Sequence, residues 1–230
     1  MVRGFRYIGL REIRKGRVLV VIKNIFWSVD GTLFDTYPAI TYAFSRAMNE
    51  LGLPVALNVI DGLVRKSLER CVASLSERFN VDPDRLRQQF EAHYRQLALA
   101  NQAPFPGVKD VCVSIRSLGG LNIIVTQRNQ ATVQQLLAAH GLELLFARIN
   151  SLEHGYAYEP VASMFASILN ELGLDREASL VVSSRGLDIR AGAETGLRTC
   201  LFGRAALSEP ADYRIETYDQ LLALLQEMPA

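Results

Sequence analysis

Ser28 and Asp30 stand two residues apart at the end of an apolar run, in the segment from Ile25 to Thr36 that reads IFWSVDGTLFDT. Alternate residues of an extended chain share a face, so a hydroxyl and a carboxylate arrive together. A serine hydroxyl attacks only after a base removes its proton. Asp30 is a weak base for that task, with an ordinary pKa near ~4. His154, in a loop expected on the same side, is the alternative base, and the pair would make a metal-independent hydrolase. The sequence shows no residue to orient that imidazole and no G-x-S-x-G turn.

Groups of this kind need a strand to deliver them. Arg17 to Trp27 (RVLVVIKNIFW) reads as a fully buried strand ending at Asp30-Gly31-Thr32, at the sheet edge where α/β proteins keep their chemistry. Thr36 and Pro38 then open a helix carrying Ile40, Phe44, Met48 and Leu51, stopped by Gly52. A helix over Val59 to Leu75 follows, and another starts at Asp82-Pro83 with Leu86, Phe90, Tyr94 and Leu97 inward. With no strand pattern between residues 37 and 100, this stretch reads as an inserted all-helical module.

From Pro104 onward strands and helices alternate, the signature of βαβ units. Strands are expected at Leu121 to Thr126, Leu144 to Ile149, Ser179 to Ser183 and Arg198 to Phe202. Helices are expected between them, one over Asp188 to Thr195 with Asp188 as its cap, and a last one at Leu221 to Leu225. The predicted fold class is α/β, a Rossmann-like core with a central parallel sheet and a helical cap. Residues 1–17 form a basic extension, 18–36 and 103–230 the core, and 37–102 the cap.

A hydrophobic fraction of 49% over 230 residues supports a real core and excludes a disordered chain. A formal charge of +1 gives no reason to expect nucleic acid. The basic residues do cluster at the start, where Arg3, Arg6, Arg11, Arg14, Lys15 and Arg17 face Glu12 alone; we read this as an ordinary tail or translation from an upstream start codon. Cys71, Cys112 and Cys200 show no metal-ligand spacing and fit reduced, buried thiols. No membrane span and no secretory signal pattern is visible, so the expected location is cytoplasmic.

The segment IFWSVDGTLFDT resembles the first motif of the haloacid dehalogenase superfamily, D-x-D-G-T-L-x-D-[ST], with Ser28 at the nucleophile's position and Asp30 at that of the acid/base. The order of elements resembles the phosphoglycolate phosphatase and β-phosphoglucomutase-like branch from Leu19 to Phe202. Thr126, Gln127 and Arg128 follow the second motif, a phosphate-binding strand end, with Gln127 in place of Asn. Ser183 to Gly192, with Gly196, follow G-D-x-x-x-D-I-x-A-G-x-x-A-G except at its first two positions. In the third motif Glu159 takes the place of Lys, before Pro160.

This resemblance implies phosphoryl transfer through an aspartyl phosphate with Mg²⁺, and the sequence departs from it at three essential positions. Ser28 replaces the nucleophile, Glu159 the Lys and Ser184 a metal-ligand Asp. Magnesium demands hard, charged oxygens, and only the Asp30 carbonyl and Asp188 would remain as its ligands. Glu159 would repel a phosphate, and pairing with Arg185 or Arg128 is expected of it. Arg65 and Lys66 on the cap are candidates to meet an anionic ligand, against a plain solvated helix face. The expectation is a pseudophosphatase that acts as a binding or assembly module, with a protein partner or a small anion held by Thr126 and Arg128, and no cofactor. The alternative is a phosphomonoester phosphatase of reduced activity that needs Mg²⁺.

Overall fold

A computed structural model describes residues 21–97, 99–151, 161–203 and 210–227. Among them six strands form one parallel sheet in the order β3-β2-β1-β4-β5-β6. They are β1 (Asn24–Trp27), β2 (Leu121–Val125), β3 (Arg148–Asn150), β4 (Ser179–Ser183), β5 (Arg198–Phe202) and β6 (Tyr213–Ile215). β1 is central and pairs with β2 on one side and β4 on the other, which is why its Ile25-Phe26-Trp27 reads as an apolar run. The order reverses at β1, so the crevice at its carboxyl end lies at a topological switch point. Ser28 and Asp30 leave the sheet there.

Helices cover both faces. On one, α5 (Val108–Ser117), α6 (Gln130–Ala139) and α9 (Tyr218–Glu227) pack on Ile25, Trp27, Leu180 and Val182; on the other, α7 (Val161–Leu172) and α8 (Gly186–Glu194) pack on Phe26, Ile123 and Val181. Alternate residues of each strand thus point to opposite layers. Trp27 is fully buried and its indole N–H donates to Asn122 Oδ1 at 3.0 Å, so the ring packs without stranding its donor.

Four helices build the cap around their own apolar cluster: α1 (Tyr37–Glu50), α2 (Leu57–Val64), α3 (Leu68–Phe79) and α4 (Pro83–Tyr94). Ile40, Phe44 and Met48 of α1 face Ile60, Leu75, Leu86 and Phe90. The single helix expected over Val59 to Leu75 is two helices. Apolar spacing carries across the join, but Ser67 turns to extended backbone (φ −173°, ψ 160°) and caps α3 by accepting from Arg70 N at 3.0 Å. The sheet differs from expectation as well. β3 is shorter because Glu143–Leu145 forms a 3₁₀ turn with Leu144 exposed, and β6 adds an edge strand beyond the expected ones. No helix among the described residues is long and apolar enough to cross a membrane.

Candidate functional site

The turn after β1 brings the first group of polar side chains together. Gly31 (φ +66°) allows the chain to fold back, with Gly31 N bonded to Phe34 O at 2.9 Å and Phe34 N to Val29 O at 3.1 Å. This aims Asp30 across the end of the sheet. Its Oδ1 accepts the Thr36 hydroxyl at 2.6 Å. Thr36 occupies the N-cap position of α1 yet makes no capping bond, because its hydroxyl serves Asp30 instead.

The loop after β2 supplies the main partner of Asp30. Arg128 N donates to Thr126 Oγ1 at 3.1 Å, closing a tight turn that points the guanidinium inward. Arg128 Nε then donates to both Asp30 oxygens, at 2.8 and 3.0 Å, and Nη2 reaches Oδ1 at 2.7 Å. The arginine side chain is only 6% exposed. Burial pushes the Asp30 carboxyl up, but the Arg128 charge, hydrogen bonds from Arg128 and Thr36, and the field of Arg185 outweigh it, and the carboxyl is held below its ordinary range. Burial likewise opposes the charge on Arg128, while Asp30 and Tyr94 hold that guanidinium firmly protonated.

A second buried pair follows β4. Arg185 donates to Asp188 through Nε (3.0 Å, Oδ2) and Nη2 (2.7 Å, Oδ1), Ser183 Oγ donates to Oδ2 at 2.7 Å, and Arg185 Nη1 reaches Gln127 Oε1 at 3.2 Å. Asp188 is therefore not the cap of α8. Arg185 holds the N-cap position and Asp188 lies in the first turn, where negative charge suits the helix N-terminus. Desolvation works against the Arg185 charge, and the neighbouring Asp188 keeps it raised.

Between the pairs lies a cluster of hydroxyls. Ser184 N donates to Thr32 Oγ1 at 2.9 Å, and Ser184 Oγ lies 3.3 Å from Thr32 Oγ1 and 3.4 Å from the Asp30 carbonyl oxygen. Tyr37 OH stands 3.5 Å from the same hydroxyl. Ser28 is buried, and among the described residues its hydroxyl has no hydrogen-bond partner. It faces a cleft of about 20 Å³, the scale of one or two waters, where Asp30, Thr126 and Arg185 meet Val64 and Leu68 of the cap.

These positions bring most of the sequence candidates into one place: Ser28, Asp30, Thr126, Gln127, Arg128, Ser184 and Asp188 all converge at the carboxyl end of β1, β2 and β4. Arg65 and Lys66 do not join them. Arg65 binds Asp61 at 2.7 Å and lies over the Tyr37 ring at 4.6 Å, and Lys66 is exposed. Glu159 and His154 lie outside the described residues. Arg128 and Arg185 hold Asp30 and Asp188, and the pairing expected of Glu159 with either of them lies outside the described residues. Tyr37, Tyr94 and Ser183 also belong to the constellation; in the sequence Tyr94 reads only as an inward helix position, Ser183 only as a departure at the first position of its motif, and Tyr37 carries only its place next to Thr36.

The donor set does not fit Mg²⁺. Among the described residues, the site's two carboxylates, Asp30 and Asp188, are each chelated by a guanidinium, the Asp30 carbonyl faces a hydroxyl, and Ser28 and Ser184 are neutral. Among the described residues no three His, Cys, Asp or Glu side chains come together as a metal cluster. Each carboxylate already has a monovalent counter-charge with fixed geometry, which a hydrated dication would have to displace.

The family model for haloacid dehalogenase-like hydrolases matches residues 25–202. The chain belongs to that family. Its relatives include a phosphoglycolate phosphatase from Cupriavidus necator, 28% identical over 212 residues, covering 86% of this chain and 90% of the relative. Another is the pyrophosphatase PpaX of Halalkalibacterium halodurans, 25% identical over 219 residues and covering 89% and 97%. Among solved structures, a haloacid dehalogenase-like family protein from Streptococcus pneumoniae superposes with a TM-score of 0.76 at 22% identity, covering 90% of this chain and 99% of that one. At that identity the likeness concerns the fold. A haloacid dehalogenase-like chain with a helical cap thus carries two internal ion pairs where its sheet presents polar groups.

Proposed function

We propose that this haloacid dehalogenase-like protein is a pseudophosphatase, using the phosphatase scaffold as a binding or assembly module without transferring phosphate. The observation that carries this is the grip of Arg128 on Asp30, the carboxylate two residues from Ser28. Attack by a serine requires a base, and a carboxylate held below its ordinary pKa by a buried guanidinium takes up a proton poorly. The same pairing deprives Asp30 of the role of proton donor to a leaving group. In units whose members act together, losing one commonly costs on the order of 10⁴ in rate, and further losses then add little.

A second reading has an observation of its own. Several relatives are named phosphoglycolate phosphatases, and this favours a phosphomonoester phosphatase of reduced activity over an inactive chain. A small anion held by Thr126 and Arg128 gains little support, since the Arg128 charge is matched by Asp30 and the Thr126 hydroxyl accepts from Arg128 N.

Stepwise restoration tests the proposal. Turnover of a generic phosphomonoester with Mg²⁺ is expected to stay at background for Ser28→Asp, Ser184→Asp and Glu159→Lys together, because Arg128 and Arg185 still hold Asp30 and Asp188, and to appear when Arg128→Ala and Arg185→Ala also free those carboxylates. If the unmodified chain turns over and Ser28→Ala abolishes it, Ser28 is a nucleophile and the proposal fails.

A further inference from the structure

Tyr94, the last residue of α4, ends the cap's polypeptide just before the chain returns to the core. Its ring continues an aromatic stack that begins inside the cap: Phe44 lies on Phe90 with centroids 4.1 Å apart and planes 16° apart, and Phe90 lies on Tyr94 at 5.5 Å and 24°. The far end of the stack meets the core. The Arg128 guanidinium carbon lies 5.1 Å from the Tyr94 centroid, within the range of a cation–π contact, and Nη2 donates to the phenol oxygen at 2.5 Å. The phenol proton goes in turn to Gln102 Oε1, on the bend that follows the 3₁₀ turn Leu99–Asn101 and fully buried.

The bonds have one direction throughout. Arg128 donates to Asp30 through Nε and Nη2 and to Tyr94 through Nη2, and Tyr94 donates to Gln102. A phenol oxygen that accepts from a cation becomes a better donor, so the bonds reinforce one another in a dry interior. Lifting the cap would remove the ring that covers Arg128 and expose one side of the ion pair.

We infer that Tyr94 is a latch that fastens the cap to the core through the Arg128–Asp30 pair, holding the cap closed without any ligand. A second contact joins the cap to the core, Tyr37 OH near Ser184 Oγ with Arg65 over the Tyr37 ring. The latch goes beyond the loss of phosphoryl transfer, because a slow enzyme with the same bonds would be closed in the same way.

Spin-label distances measure it directly. Nitroxides at Arg85→Cys on α4 and Lys109→Cys on α5, both exposed positions, report cap against core. The native thiols are buried, and burial pushes that of Cys71 up to about 12, so the folded chain without introduced cysteines should take no label. The labelled chain should give one narrow distance peak. Tyr94→Phe, which keeps the ring and removes the phenol oxygen, should broaden it or add a longer distance, and Tyr94→Leu should broaden it more. Adding Asp30→Asn to Tyr94→Phe should broaden no further than the larger single effect, because both cut the same chain of bonds. A peak that is already broad in the parent, or one that Tyr94→Phe leaves narrow while the protein stays folded, would overturn the latch.

Discussion

Arg128 and Asp30, 98 positions apart in sequence, form a buried pair in which one guanidinium nitrogen donates to both carboxylate oxygens and a second reaches Oδ1. A carboxyl whose native pKa lies below its unfolded value of about 3.9 stabilises the fold above that pH. The contribution drains away as pH falls through the native value. Urea unfolding should therefore show stability declining more steeply from pH 5 to pH 3 in the parent than in Asp30→Asn. At pH 7 the variant should be less stable by roughly 3 kcal/mol, because it leaves Arg128 buried and uncompensated.

Arg185 and Asp188 give a test in which two changes hurt less than one. Arg185→Met alone strands a buried carboxylate and should cost roughly 3–5 kcal/mol, whereas breaking the pair on both sides with Arg185→Met and Asp188→Leu should recover most of that loss. Denaturant unfolding of the singles and the double reads the coupling. Simple additivity would show that the pair is not the unit described.

Gly31 packs against the aromatic that lines the site. A Cβ there would fall 2.0 Å from Tyr37 Cε2, at a backbone φ of +66°. Gly31→Ala should displace Tyr37 from Ser184 and cost about 1–3 kcal/mol for overpacking, a drop of roughly 2–4 °C in Tm for each of those kcal/mol. Gly52→Ala, with a similar φ of +74° and open space around it, bears only the backbone strain and should lower Tm less.

The fold was readable because its strands are apolar runs that end on polar residues. IFW, LNIIV and SLVVS could only be buried parallel strands once helices separated them. Local breaks were harder. Apolar spacing runs through Arg65 to Ser67, so the extended backbone at Ser67 left no periodic trace. Tyr213–Ile215 is an edge strand of three residues, too short for an alternation to register. The site's residue types and their common edge were legible, but its pairing was not. Which arginine meets which carboxylate depends on how three loops are set against one another, and Thr36, equally suited to cap a helix or to serve Asp30, carries no mark of its choice.

The loss of phosphoryl transfer is tested most directly by steady-state turnover of a generic phosphomonoester by the unmodified full chain, with Mg²⁺ and then with chelator. Paired carboxylates and a serine at the nucleophile's position predict the same background rate in both. Turnover well above background that rises with Mg²⁺ and vanishes in chelator would contradict the proposal and assign the chain to the working phosphatases of its family.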